Sequence, residues 1–78
     1  MEHKVYILYS ERMDRYYVGQ TDNVDKRLVV DNLGGKKYTT RGIPWVLVKT
    51  YDCDSRSSAV GLERKIKKRG IKRYLSEN

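Results

Sequence analysis

Two short segments near the amino terminus, Val5-Tyr6-Ile7-Leu8 and Tyr16-Tyr17-Val18-Gly19, restrict the fold of this chain more than any other feature. Both are rich in β-branched and aromatic residues, which suit a pleated surface. The polar stretch Ser10-Glu11-Arg12-Met13-Asp14 between them suits a turn. Residues 4–9 and 15–20 are therefore expected to pair as an antiparallel hairpin. Pairing through that turn sets Tyr6 and Tyr17 at nearly opposite positions, close enough for both phenols to serve one pocket, with Gly19 leaving room beside them.

After the hairpin the pattern changes period. Thr21 or Asp22 offers an N-cap oxygen, Asp25 places a negative charge in a first helical turn, and Val24, Leu28 and Asp31 share one face, so residues 22–31 read as a helix. Residues 32–44 read as a loop, broken by Gly34, Gly35 and Gly42 and closed by Pro44. Residues 45–51 form an apolar third strand. Asp54 or Ser55 then caps a helix running to about Arg69, Gly70 stops it, and residues 71–75 add a short last helix. The expected order is β-β-α-β-α-α: an α/β fold with a small three-stranded antiparallel sheet flanked by helices.

Seventy-eight residues make one domain, 1–78, with a thin core. Cys53 is the only cysteine and His3 the only histidine, which excludes a disulfide framework and zinc clusters of the Cys/His type and fits a reducing cytoplasm. The longest apolar run, residues 5–9, is too short for a membrane span or a signal segment. Seventeen Lys and Arg against ten Asp and Glu give a net charge of +7. The excess is uneven: residues 55–73 hold eight basic side chains and one acid, Glu63. Concentration of charge on one segment favours a polyanion-binding face over plain solvation, with nucleic acid the commonest such partner.

Four residues stand out chemically. At about one hundred degrees per residue, Ala59, Leu62 and Ile66 form a core stripe with Glu63 at its edge. Glu63 reads either as an ion-pair partner of Lys67 one turn on, or as a ligand for a hard divalent cation, which often takes only one or two protein carboxylates when phosphate and water complete its shell. Arg27 lies beside the Val24/Leu28 face, where its stem can cover the core or its guanidinium can grip a phosphate that gains charge. Tyr6 and Tyr17 are either buried structural rings or site residues. With a metal and Arg27 near, positive charge favours the phenolate of Tyr6 and makes it a candidate base. In the loop, Lys36, Lys37, Thr39 and Arg41 beside glycine amides can cradle a phosphate, or simply form a polar connector.

The succession Val5-Tyr6-Ile7, Tyr17-Val18-Gly19, Thr21-Asp22-Asn23 leading to Arg27, and a helical Glu63 resembles the GIY-YIG nuclease superfamily over nearly the whole chain. It is most similar to the small single-domain, UPF0213-like members, whose glycine- and lysine-rich loop is matched by residues 32–39 and whose glutamate helix is matched by residues 59–68. The resemblance implies metal-dependent endonuclease cleavage of phosphodiester bonds in DNA, as in the superfamily's repair nucleases, with Mg²⁺ or Mn²⁺ as cofactor. It implies that Tyr6 activates or orients the attacking water, Tyr17 hydrogen-bonds water or phosphate, Arg27 stabilises the charged transition state and Glu63 holds the metal. Gly19 becomes the motif glycine, and Gly19, Lys36, Lys37, Thr39, Arg41, Lys67 and Lys68 the surface for nucleic acid.

This chain departs from the pattern at four places. Lys4 stands at the glycine of the first motif, Gln20 where several relatives have lysine, Asp31 where many have histidine, and Leu75 in the region where larger members use asparagine. Gln20 and Asp31 keep a second reading open, a nucleic-acid-binding module that no longer cleaves; a third is an accessory subunit that uses its basic helix to dock on an acidic partner protein. A partner protein or a homodimer is compatible with either.

Overall fold

The computed structural model describes residues 3–33 and 40–77. Strands β1 (His3–Ser10) and β2 (Arg15–Thr21) form the expected hairpin, and helix α1 (Val24–Asn32) follows. Strand β3 (Trp45–Cys53), helix α2 (Arg56–Arg69) and helix α3 (Ile71–Glu77) complete the β-β-α-β-α-α order. The hairpin turn is held by Ser10, whose fully buried Oγ accepts from the Met13 amide at 3.1 Å, and by Asp14 at φ 51°, a left-handed conformation that Asp tolerates.

The sheet order is β2-β1-β3, antiparallel throughout, so β1 is paired on both edges. A central strand covered on both faces needs apolar residues at consecutive positions, and Val5, Tyr6, Ile7 and Leu8 are all at most 1% exposed. One face carries Val5, Ile7 and Val18, packed against Ala59 and Ile66 of α2 and against Ile71, Tyr74 and Leu75 of α3. The other carries Tyr6, Leu8 and Trp45 beneath Val24 and Leu28 of α1. Val24 and Leu28 of the first expected stripe, and Ala59, Leu62 and Ile66 of the second, are thus seated.

The third strand is longer than expected, Trp45–Cys53, and its aliphatic residues are exposed. Trp45 is 2% exposed, but Val46 is 59% and Val48 is 45% exposed. Ile7 pairs with Lys49 and Leu8 with Leu47, which leaves Val48 as an extra residue. A bulge in an outer strand spoils the regular ladder that another strand would need for pairing, which explains how an apolar edge is tolerated.

Ser55, not Asp54, caps α2, its Oγ accepting from the Ser58 amide at 3.2 Å. Lys67, Lys68 and Arg69 occupy the last turn, where cations complement the helix dipole. Gly70, at φ 94°, ends the helix and donates to the Ile66 carbonyl at 3.0 Å. Gly61 is a different case: it lies exposed inside α2, and a Cβ there meets nothing within 4 Å. Gly61→Ala is expected to stabilise the fold by about 0.5–1 kcal/mol, because alanine loses less backbone freedom in a helix. Thermal unfolding should show a rise of several degrees; an unchanged or lowered midpoint contradicts it.

Candidate active site

The site begins with the entry into α1. Thr21 Oγ1 accepts from the Asn23 amide at 3.2 Å, and Asn23 Oδ1 accepts from the Lys26 amide at 3.0 Å. Asn23 is therefore the cap, correcting the expectation of Thr21 or Asp22. The Asn23 carbonyl accepts the Arg27 amide at 3.1 Å, so the cap fixes the rotation that turns Arg27 toward the sheet. There Arg27 Nε donates to the phenolic oxygen of Tyr6 at 3.1 Å.

Tyr6 is 1% exposed, and its cross-strand partner is Gly19, not Tyr17. A Cβ at position 19 would lie 2.5 Å from the Tyr6 hydroxyl oxygen and 2.7 Å from Cζ. Glycine is required because the Tyr6 ring lies across its backbone. Tyr17 pairs with Leu8, which corrects the expected opposition of the two phenols to a diagonal one on the same face. The Tyr6 and Tyr17 ring centroids are 6.4 Å apart, and Tyr17 and Trp45 are 6.1 Å apart, forming one aromatic wall.

Two residues that sequence reasoning did not single out hold this wall in place. Asn32 Oδ1 accepts from the Trp45 amide at 2.6 Å while its Nδ2 donates to the Trp45 carbonyl at 3.1 Å, so one side chain imitates a neighbouring strand. Gly42 is buried against the indole, where a Cβ would come within 2.3 Å of Trp45 Cζ2. Gly42 reads in sequence only as a breaker, and an Asn at a helix end only as a stop. Neither signal names its target.

Glu63 sits on α2, which packs on the opposite face of the sheet. Its side chain is 19% exposed, and Oε2 accepts an ion pair from Lys67 Nζ at 2.8 Å. Lys67, with Tyr16, Tyr17, Val18 and Ile71, lines a depression of about 300 Å³ at the outer edge of β2. The structure therefore brings Tyr6, Tyr17, Gly19 and Arg27 together and places the Glu63–Lys67 pair across β2, with Lys67 beside Tyr17. Lys68 and Arg41 are exposed. Lys36, Lys37 and Thr39 lie outside the described residues, as does the side chain of Asp31.

Gln20 pairs with Val5, in one row with Tyr51 on the α2 face, and its Oε1 is buried without a hydrogen-bond partner among the described residues. Alternation along β2 points it away from Tyr6, so its identity does not reach that phenol. The tyrosines differ in polarity as well. Tyr9 donates to Asp14 Oδ1 at 2.6 Å, and that hydrogen bond, with smaller contributions from desolvation and nearby acids, pushes its phenol up to about 12. Burial, and then Tyr74, pushes the Tyr51 phenol up. Both are held as phenols. Tyr6 instead accepts a hydrogen bond from the guanidinium of Arg27, a permanent cation.

No three His, Cys, Asp or Glu side chains cluster with metal-binding spacing among the described residues. Glu63 alone still suits a hard divalent ion: it is half-buried, and its Oε1 accepts no hydrogen bond among the described residues. Phosphate and water would have to supply the remaining oxygens. No helix among the described residues is long and apolar enough to cross a membrane.

The GIY-YIG catalytic domain profile matches residues 2–74. A UPF0213 protein of Streptococcus pneumoniae is 39% identical over 83 aligned positions, covering 100% of this chain and 84% of that protein. A UPF0213 protein of Natronomonas pharaonis is 40% identical over 67 positions, covering 85% of this chain and 78% of that protein. The solution NMR structure of a UPF0213 protein from Bacillus halodurans superposes with a TM-score of 0.59 at 32% identity, covering 97% of this chain and 81% of that one. With its hairpin tyrosines, motif glycine and helical arginine brought together as described, the chain belongs to the GIY-YIG nuclease superfamily, among relatives of the UPF0213 kind.

Proposed function

We propose that this protein is a divalent-metal-dependent endonuclease that hydrolyses phosphodiester bonds in DNA or structured nucleic acid. The observation that carries the reading is the Arg27–Tyr6 hydrogen bond beneath Gly19. It joins a group that can take a proton to a cation that stays charged. In this reading Tyr6 accepts the proton of the attacking water or orients it, and Arg27 offsets the charge that gathers on phosphate in the transition state. Tyr17 hydrogen-bonds the water or a phosphate oxygen. Glu63 holds Mg²⁺ or Mn²⁺, which when bound supplies Lewis-acid stabilisation of the phosphate and of the leaving oxygen. Lys67 then exchanges its carboxylate partner for phosphate. The basic face of α2, the loop cations Lys36, Lys37 and Arg41 and the Thr39 hydroxyl hold the backbone of the substrate, and recognition follows shape, ends or junctions more than base sequence. The setting is the cytoplasm, and DNA repair is the process in keeping with the superfamily.

A second reading, a binding module without cleavage, draws on the same ion pair: Lys67 occupies the carboxylate a metal would need. One experiment separates the two. Supercoiled plasmid, branched DNA and single strands are incubated with wild type and with Glu63→Ala, in Mg²⁺, in Mn²⁺ and in chelator. Cleavage by wild type alone, and only with metal, is the expected result. DNA retention without cleavage establishes the binding module, and cleavage that survives Glu63→Ala or chelator overturns the assignment of Glu63.

A further inference from the structure

Beyond the Tyr6–Arg27 pair, the outer edge of β2 carries two depressions that share residues. The first, about 520 Å³, is lined by Tyr9, Asp14, Arg15, Tyr16, Ile71 and Lys72. The second, about 300 Å³, has Tyr16 and Ile71 in common with it and continues to Tyr17, Val18 and Lys67. Together they make one channel that starts at the tip of the hairpin and ends at Tyr17, whose ring is 6.4 Å from that of Tyr6.

The channel has a definite chemistry. Tyr9 and Tyr16 pack against each other as tilted rings with centroids 4.8 Å apart, and Tyr17, next along β2, belongs to the opposite face, so the channel turns around the sheet edge at that point. Three cations line it, Arg15, Lys67 and Lys72, against one acid, Asp14. That acid is engaged by the Tyr9 hydroxyl at 2.6 Å. Aromatic faces alternating with cations suit unpaired bases on a phosphate backbone, since stacking needs a free base face that a duplex does not offer. The depressions are lined by β2 on one side and by Lys67 of α2 and Ile71 and Lys72 of α3 on the other.

We propose that this channel binds single-stranded nucleic acid and leads it to Tyr17, so that the preferred substrate carries an unpaired strand next to the scissile bond. The proposal rests on the nuclease reading for the second half of that statement only. Binding in the channel stands independently of cleavage.

The test measures fluorescence anisotropy in chelator, where no cutting occurs, with labelled oligothymidylate and oligouridylate of about 12 nucleotides and a blunt duplex of equal length. Wild type should bind a single strand more tightly than the duplex. Arg15 and Lys72 are exposed, so Arg15→Ala/Lys72→Ala should fold normally by circular dichroism. It should lose about tenfold or more in single-strand affinity, with a shallower dependence on salt because fewer counterions are released. Tyr16→Leu should lose a comparable factor while Tyr16→Phe keeps wild-type affinity, because phenylalanine retains the stacking face. Equal or stronger binding of the duplex, or wild-type affinity in the double variant, overturns the proposal. If wild type cuts DNA with metal but the channel variants bind as wild type does, the channel is wrong and the nuclease reading stands. If nothing is cut yet single-strand affinity depends on Arg15, Lys72 and Tyr16, the nuclease reading fails and the channel stands.

Discussion

Tyr6→Phe and Arg27→Ala should each lower metal-dependent cleavage by about a hundredfold or more, and the double variant should be little worse than either alone. The expectation of non-additivity comes from one contact, Arg27 Nε to the Tyr6 oxygen at 3.1 Å. Removing the hydroxyl leaves the guanidinium with no phenol to activate; removing the guanidinium leaves the phenol without its cation. Residues that act as a unit are lost together the first time either is removed. Arg27→Lys should not rescue, because a lysine offers a point charge on a flexible stem in place of a planar fork held by an Nε–H. Single-turnover rates on one DNA substrate, with folding checked by circular dichroism, decide it. Multiplicative effects would mean that the two side chains act on separate steps, and a Tyr6→Phe enzyme as fast as wild type would remove Tyr6 from the chemistry.

How much of this was legible in the sequence depends on the range over which each signal acts. The hairpin was legible because its residues carry their own period and its turn is local. Helix α2 was legible because Ser55, the Ala59/Leu62/Ile66 stripe and Gly70 each have a local meaning, and the structure satisfies all three. The cap of α1 was missed by one residue because Thr21, Asp22 and Asn23 are all competent cap residues; the choice fell to Asn23 through the turn that Thr21 makes with its amide. The third strand was legible as a strand, but its place in the sheet was not. Val46, Leu47 and Val48 have the composition of a buried strand, yet the sheet places them at an outer edge with a bulge. Apolar composition gives strand propensity; it does not give position within a sheet.

The site shows the same division. Glu63 at the border of its helix stripe, paired with Lys67, follows from spacing alone. The Arg27–Tyr6 bond spans 21 residues and depends on how α1 is rotated over β1, which no local pattern states. Asn32 is harder still, since its role is to bond the backbone of Trp45, 13 positions away, and an asparagine at a helix end has many ordinary explanations.

The second large effect belongs to Gly19. Gly19→Ala should destabilise the fold by about 1–3 kcal/mol, because the new methyl enters space held by the Tyr6 ring and neither can retreat easily. The distances at stake are 2.5 Å to the hydroxyl, 2.7 Å to Cζ and 3.1 Å to Cε1, and Tyr6 is 1% exposed, so it has no solvent into which to swing. Any shift of the ring also lengthens its hydrogen bond to Arg27, so cleavage should fall further than stability alone accounts for. The cause can be isolated by repeating the substitution in a Tyr6→Leu background. Leucine ends before the ring atoms that clash, and there Gly19→Ala should cost nothing or stabilise by up to about 1 kcal/mol, since glycine is the weakest residue inside a strand. Urea unfolding of the four proteins gives the coupling directly. An equal cost of Gly19→Ala in both backgrounds would show that the motif glycine serves backbone conformation and not the seating of Tyr6. A change of sign between them would show that the glycine is there for the ring that lies on it.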